Sequence, residues 1–336
     1  RVSLQVIDEA GNELEEPVEV TVVGQDYTAP FPGDEQGQFQ IREMVYDEAH
    51  NRLLLLGDDK DEGVAEDRAI LAVDINTGGR SVFATNDGEN EPLSFGVLDL
   101  GSIDSEHNRL IATRINGSAI YEIDLETGNG AELMQSKSGD LASAFDWPRG
   151  IVMSSSDSES VYILSGSNGG DYNRLLKVNL KSGEREVISD PEAGVGSGPD
   201  FLSGRGLLIS GDERWGYIES GSDVYKVDLN TGNREEIFLD YPTDFIIRAF
   251  NDFFLLGENL TIFEISRGLM KKDKQAEEWT VIHPYDENDK FDSRLSEGVH
   301  YVEENNYIFV AQDHYKAVLA YDLVTNEFVV ITRYSE

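Results

Sequence analysis

Five charged side chains recur at one position of an internal repeat, and their types define the chemistry open to this chain. Counting back five residues from Asp47, Asp104, Ser154, Ser210 and Val302, which close similar strand-like segments, gives Arg42, Asp99, Arg149, Arg205 and Glu297. Guanidiniums grip a carboxylate, sulfate or phosphate through paired N–H donors, while carboxylates accept hydroxyls. The set is therefore a candidate ligand-binding site for a small anionic molecule, a glycan or a protein segment. The same charges can instead pair among themselves, Arg42 or Arg149 with Asp99 or Glu297, because ionised groups at the edge of an apolar strand are costly unless paired or wetted. A segment of ambiguous register, PTDFIIRAFNDFFLL from Pro242, offers Asp244 or Arg248 as a further member.

Candidates for proton transfer are few. Glu297 and His300 are the first choice for a catalytic pair, although positions three apart point to opposite faces of a regular strand. His50 and His107 fall in matching turns, D-x-x-H-N-R-L and S-E-H-N-R-L, and read as parts of the repeat. His283 falls in a loop, HPYDENDKFD, and His314 in AQDHYKA. The acidic runs GDDKDEGVAED, TNDGENEP and YDENDKFD lack the spacing of a calcium loop. The glycine-rich AGVGSGP has no Lys-Ser or Lys-Thr after it and reads as a connection between units. Neither G-x-S-x-G nor H-E-x-x-H occurs.

The elements that must position these residues are strands. An apolar run ending in Asp or Asn and followed by a turn appears as ILAVDINTGGR, AIYEIDLETGNG, LLKVNLKSGER, VYKVDLNTGNR and VLAYDLVTNEF, with a degenerate copy, IFEISRG, from Ile262. β-branched and aromatic residues alternate with polar ones, and the T-G or S-G supplies the positive φ of a tight hairpin. Upstream, MVYDEAHNRLLLL, SIDSEHNRLIAT and HYVEENNYIFVA punctuate two further strands with Asp, His and Asn. The markers Asp74, Asp124, Asn179, Asp228, Ser266 and Asp322 lie 50, 55, 49, 38 and 56 residues apart. Four strands per unit at this period predict an all-β, six-bladed β-propeller over residues 37–336, preceded by a β extension or remnant of another module over 1–36. In such a fold the first strands surround a channel, and the five charged residues ring one mouth of it.

Composition narrows the partners. With 65 acidic and 27 basic residues the formal charge is −38, which repels nucleic acid and anionic membranes. A solvated acidic surface suits salty surroundings, and a halophilic or marine source is expected. The excess also admits a divalent cation such as calcium, with Glu297 and Asp99 as its ligands, but Arg42, Arg149 and Arg205 at the same mouth oppose one. No cysteine is present, so disulfides and thiolate sites are excluded. No run of 18 apolar residues occurs, so membrane insertion is not expected.

Short motifs carry a resemblance. WPRGIVMSSSDSESVYILSGS, from Trp147, resembles the opening of NHL-type repeats, and LSEGVHYVEENNYIFVAQ, from Leu295, resembles gluconolactonase and senescence-marker-protein-like propellers. VNLKSGEREVISDPEAGVGSGPDF, from Val178, is similar to repeats of exported propellers of marine proteobacteria. The resemblance implies a six-bladed propeller in the periplasm or outside the cell. The lactonases bind one divalent cation in the channel, and of their ligands only Glu297 carries over. The leading expectation is a binding module using the charged mouth. The alternative is a lactonase-like or polysaccharide-directed hydrolase or lyase in the same channel.

Overall fold

The computed structural model describes residues 39–59, 69–85, 98, 100–113, 119–135, 147–166, 173–201, 204–220, 223–237, 252–256, 259–264, 268–273, 280–284, 296–302, 306–312, 317–325 and 327–333. The side chains of Arg205, of Glu297 and of nearly all of 252–299 are outside this description, as are residues 1–36, Asp99, Asp244, Arg248 and His314. The strands form six four-stranded antiparallel sheets, each built from consecutive strands. The first holds β1 (Phe39–Asp47), β2 (Arg52–Asp59), β3 (Ala69–Asp74) and β4 (Arg80–Thr85). The second holds β5 (Leu100–Asp104), β6 (Arg109–Thr113), β7 (Ala119–Asp124) and β8 (Gly130–Gln135). Then come β9 (Pro148–Met153), β10 (Ser160–Gly166), β11 (Asn173–Asn179) and β12 (Arg185–Ser189), followed by β13 (Gly204–Ile209), β14 (Trp215–Ser220), β15 (Asp223–Asp228) and β16 (Arg234–Ile237). The last two are β17 (Asp252–Leu256), β18 (Asn259–Glu264), β19 (Gly268–Asp273) and β20 (Thr280–Pro284), and β21 (Ser296–Val302), β22 (Tyr307–Gln312), β23 (Ala317–Asp322) and β24 (Glu327–Arg333).

This is an all-β propeller of four-stranded blades. The first strands lie side by side: β1 touches β5 and β21, β5 touches β9, β9 touches β13, and β17 touches β13 and β21. The second strands are apolar almost without interruption because both of their faces are covered by neighbouring blades. In β2, Leu54 and Leu56 pack with Leu110, Ala112 and Tyr121 of the next blade. Leu53 and Leu55, one position out of phase, pack instead with Phe309, Ala311 and Val318 of the last. Each fully buried leucine contributes about 1.5–3 kcal/mol.

The marker turn forms by the same bonds each time. Asp74, Asp124 and Asn179 accept, through Oδ1, the backbone N–H three residues on at 2.8, 2.7 and 2.7 Å, and Asp228 and Asp322 do so at 3.0 and 3.2 Å. The glycine that follows in four of these turns, Gly78, Gly128, Gly183 and Gly232, has φ between 68° and 73°, the left-handed conformation that costs glycine nothing. Asn51, Asn108 and Asn306 take the same conformation at φ 51°, 52° and 54° in the turn between first and second strands.

The expectation of six like copies is corrected on one point: five blades, not six, carry the marker turn together with a described side-chain core. The sheet β17–β20 departs from them. IFEISRG, aligned above as a third-strand copy, begins inside β18, the second strand of its sheet, and its marker Ser266 lies outside the described residues. Without Asp or Asn followed by Thr-Gly, only alternation guided that alignment, and alternation looks alike in every strand. His283, expected in a loop, belongs to β20. The glycine-rich stretch after Ala193 is indeed a connection: Gly196 and Gly198, at φ 75° and 117°, run against the backbone of Gly232 and Arg234. Among the described residues no helix is long and apolar enough to cross a membrane.

Candidate functional site

Four of the five charged residues singled out above lie at the start of a first strand: Arg42 on β1, Arg149 on β9, Arg205 on β13 and Glu297 on β21. The strands of Arg149 and Arg205 are adjacent, as are those of Arg42 and Glu297. Asp99 immediately precedes β5. The backbone gives three of them a common feature. Ile41 pairs with Gly57 and Glu43 with Leu56, which leaves Arg42 as the extra residue of a β-bulge. Arg149 is extra between Pro148 and Gly150, which pair with Ser165 and Leu164. Glu297 is extra between Ser296 and Gly298, which pair with Gln312 and Ala311. In β13 the bulge falls one residue later, on Gly206. A bulge bends its strand and re-aims the extra side chain, and such bulges gather at sheet rims beside functional sites.

Arg42 and Arg149 are both partly buried, and both are engaged by other groups. Arg149 Nε lies over Gly166, which has no side chain of its own. A Cβ placed on Gly166 would come within 3.8 Å of Arg149 Nε, 3.4 Å of Trp147 O and 3.2 Å of Asn173 Oδ1. The buried Asn173 amide reaches the neighbouring blade too, since a Cβ on Gly204 would lie 2.9 Å from its Nδ2. Trp147 opens this blade at φ 57°, a conformation rare for a bulky residue, and its carbonyl accepts the Gly166 N–H at 3.0 Å.

Sequence reasoning missed Glu43. It stands directly after the bulge, where Gly150 and Gly298 stand in two other blades. Burial pushes its carboxyl up to about 8, and the Met44 N–H, 3.1 Å from Oε1, offsets this only in part. This shift favours the protonated carboxyl over the carboxylate. A glutamate at a glycine position of the self-alignment was the available signal. His300 is packed against Tyr46 of β1 with ring centroids 5.8 Å apart, and burial lowers its pKa to about 4. It is a neutral ring between the last blade and the first.

The opposite side of the blades is occupied by clamps. Asp47 and Asp104, both buried, each accept from the His three residues on and from the Arg five residues on, all at 2.8 Å. The arginines then reach across to the next blade, Arg52 donating to Leu125 O and Arg109 to Ser158 O. Between the third and fourth blades the polarity reverses. Glu213 enters the serine turn of the third blade, where Ser154 Oγ, Ser156 N and Ser156 Oγ donate to its carboxylate at 2.6, 2.8 and 2.7 Å. Tyr162 OH adds a bond at 3.1 Å, and Lys177 Nζ lies 3.7 Å away. His50 and His107, read above as parts of the repeat, lie at the blade joints, with Nε2 3.4 Å from Glu126 and 4.0 Å from Glu159 of the next blades. Among the described residues no group of three or more His, Asp or Glu side chains could hold a metal ion.

No protein-family model matches this chain, and no curated protein does. The NHL-like and gluconolactonase-like motifs are short strand-and-turn patterns that propellers in general require. Solved structures do match. A crystal structure of a nidogen/laminin complex superposes with a TM-score of 0.56 at 12% identity, covering 81% of this chain and 92% of the other. The extracellular domain of BT3049 from B. thetaiotaomicron, described as a hybrid two component system, gives 0.56 at 13% identity over 87% of this chain. That of BT4673 from the same organism gives 0.52 at 14% identity over 93%. This chain spans 35% and 37% of those two chains. At such identities the likeness is one of fold, and the fold is a β-propeller.

Proposed function

We propose that this protein is an exported binding module, periplasmic or extracellular, that takes a small anionic ligand, a glycan or a protein segment at the bulged mouth of its propeller. The observation that carries this reading is the bulge repeated at one register position of β1, β9 and β21, which makes Arg42, Arg149 and Glu297 the extra residues of their strands. Bulges are over-represented at rims and beside active sites, and in these three blades the extra residue is charged each time. In this reading β17–β20 completes a ring of six, and Asp99 and Arg205 join the mouth. The solved neighbours that are extracellular domains agree with an exported setting. The test is calorimetric titration with small carboxylates and acidic sugars. Binding is expected to be lost in Arg42→Ala and Arg149→Ala, and unchanged affinity in both sinks the proposal.

A lactonase-like hydrolase has one observation in its favour. Glu43, which follows Arg42 in the chain and whose raised pKa favours the acid form, is a candidate to donate a proton to a leaving group. Turnover of a sugar lactone or uronide that disappears in Glu43→Gln would favour this reading over simple binding.

A further inference from the structure

Trp147 is the described residue at the mouth whose conformation the fold explains least. At φ 57° it holds a left-handed backbone that a bulky side chain adopts at a cost, and such strain persists where the site over-determines it. Its indole is neither stripped of solvent nor fully exposed. Among the described residues the ring has no aromatic or cationic partner, and its N–H has no acceptor. Two residues on, Arg149 is the extra residue of its bulge, and its Nε overlies Gly166, the glycine that also donates to the Trp147 carbonyl. Gly166 and Gly204 keep space beside the buried Asn173 amide, where any side chain would press upon it.

We infer that Trp147 and Arg149 form a subsite for a carboxylated sugar ring, the class to which uronic acids belong. The inference rests on the reading of the bulged mouth as a ligand site and names what that site takes. An indole offers a flat apolar face and one donor at its edge. A guanidinium has five N–H donors, so Arg149, although already engaged by another group, can add a carboxylate. A uronate ring supplies all three complements: an apolar C–H face for the indole, hydroxyl acceptors for its N–H, and a carboxylate for the arginine. An aromatic acid would leave the N–H without an acceptor, and an acyclic carboxylate would leave the indole face uncovered. The protein's charge of −38 favours a ligand with few negative charges over a long polyuronate.

The experiment is calorimetric titration of wild type, Trp147→Asn and Arg149→Ala with methyl glucuronide, methyl glucoside and succinate, together with melting temperatures. Asparagine accepts the left-handed conformation, so Trp147→Asn is expected to melt no lower than wild type while its affinity for methyl glucuronide falls at least about tenfold, the scale of a lost stacking contact. Affinity for succinate should stay unchanged in that variant and fall in Arg149→Ala, and methyl glucoside should bind wild type more weakly than the glucuronide. Wild type that binds succinate but not the glucuronide overturns the subsite and leaves the anion site standing. So does a Trp147→Asn variant that keeps glucuronide affinity, or one that loses affinity and melting temperature together. Wild type that binds neither anion overturns both.

Discussion

Replacing Glu213 by Gln should loosen the joint between the third and fourth blades, and pH reports the loss. The Glu213 side chain is 10% exposed and lies among donors from Ser154, Ser156 and Tyr162. Burial alone would raise its pKa, but those hydrogen bonds overcome it and bring the carboxyl from 4.5 down to about 2. A carboxyl depressed on folding adds stability above its unfolded pKa and loses it as pH falls through the folded value. The drop corresponds to about 3 kcal/mol at pH 7. Some of this is screened at the rim of the turn, so a cost of about 2–3 kcal/mol is expected for Glu213→Gln at pH 7. At pH 3 the unfolded carboxyl is protonated while the folded one is still largely ionised, and the contribution shrinks to about 1 kcal/mol. Urea unfolding of wild type and Glu213→Gln at both pH values measures the difference directly. A gap below about 0.5 kcal/mol at pH 7, or one that does not narrow at pH 3, refutes the account, because the carboxylate would then be no more stable among its donors than in water.

The other clamps and turns give sharper, simpler tests. Asp104→Asn leaves Arg109 and His107 without the buried carboxylate that both contact at 2.8 Å, and should cost about 3 kcal/mol in denaturant unfolding; a change within experimental error would show that the clamp does not join the blades. Two alanine substitutions separate backbone conformation from space. Gly183, at φ 72°, has no atom within 4 Å of an added Cβ, whereas at Gly232, also at φ 72°, that atom would lie 2.2 Å from Ile188 O. Gly183→Ala should cost about 1–2 kcal/mol, and Gly232→Ala clearly more because backbone must move; equal losses would contradict the packing.

The repeat was readable because its information is local. Asp or Asn followed by Thr or Ser three residues on is a turn whose bonds join residues two to four apart, so five copies, from Asp74 to Asp322, could be found by eye, four of them with the glycine that comes next. Unbroken leucines at Leu53–Leu56 betrayed strands covered on both faces. The first-strand alignment drew on the same kind of signal, since four of its five anchors, Asp47, Asp104, Ser154 and Ser210, are polar turn residues. The third-strand alignment failed for IFEISRG, where no Asx residue punctuates the strand and alternation alone has no register.

The sequence by itself determined the strand-and-turn repeat, the four-stranded unit and the propeller class, because each follows from contacts between residues near in the chain. Only the tertiary structure decided that Arg42, Arg149 and Glu297 are bulge residues, since a bulge is defined by the partner strand's register. The same is true of the raised pKa of Glu43, which burial by other strands produces, and of the anchor for Glu213, which is a turn 57 residues away. Burial and cross-blade bonding are properties of what surrounds a residue, and no reading along the chain contains them.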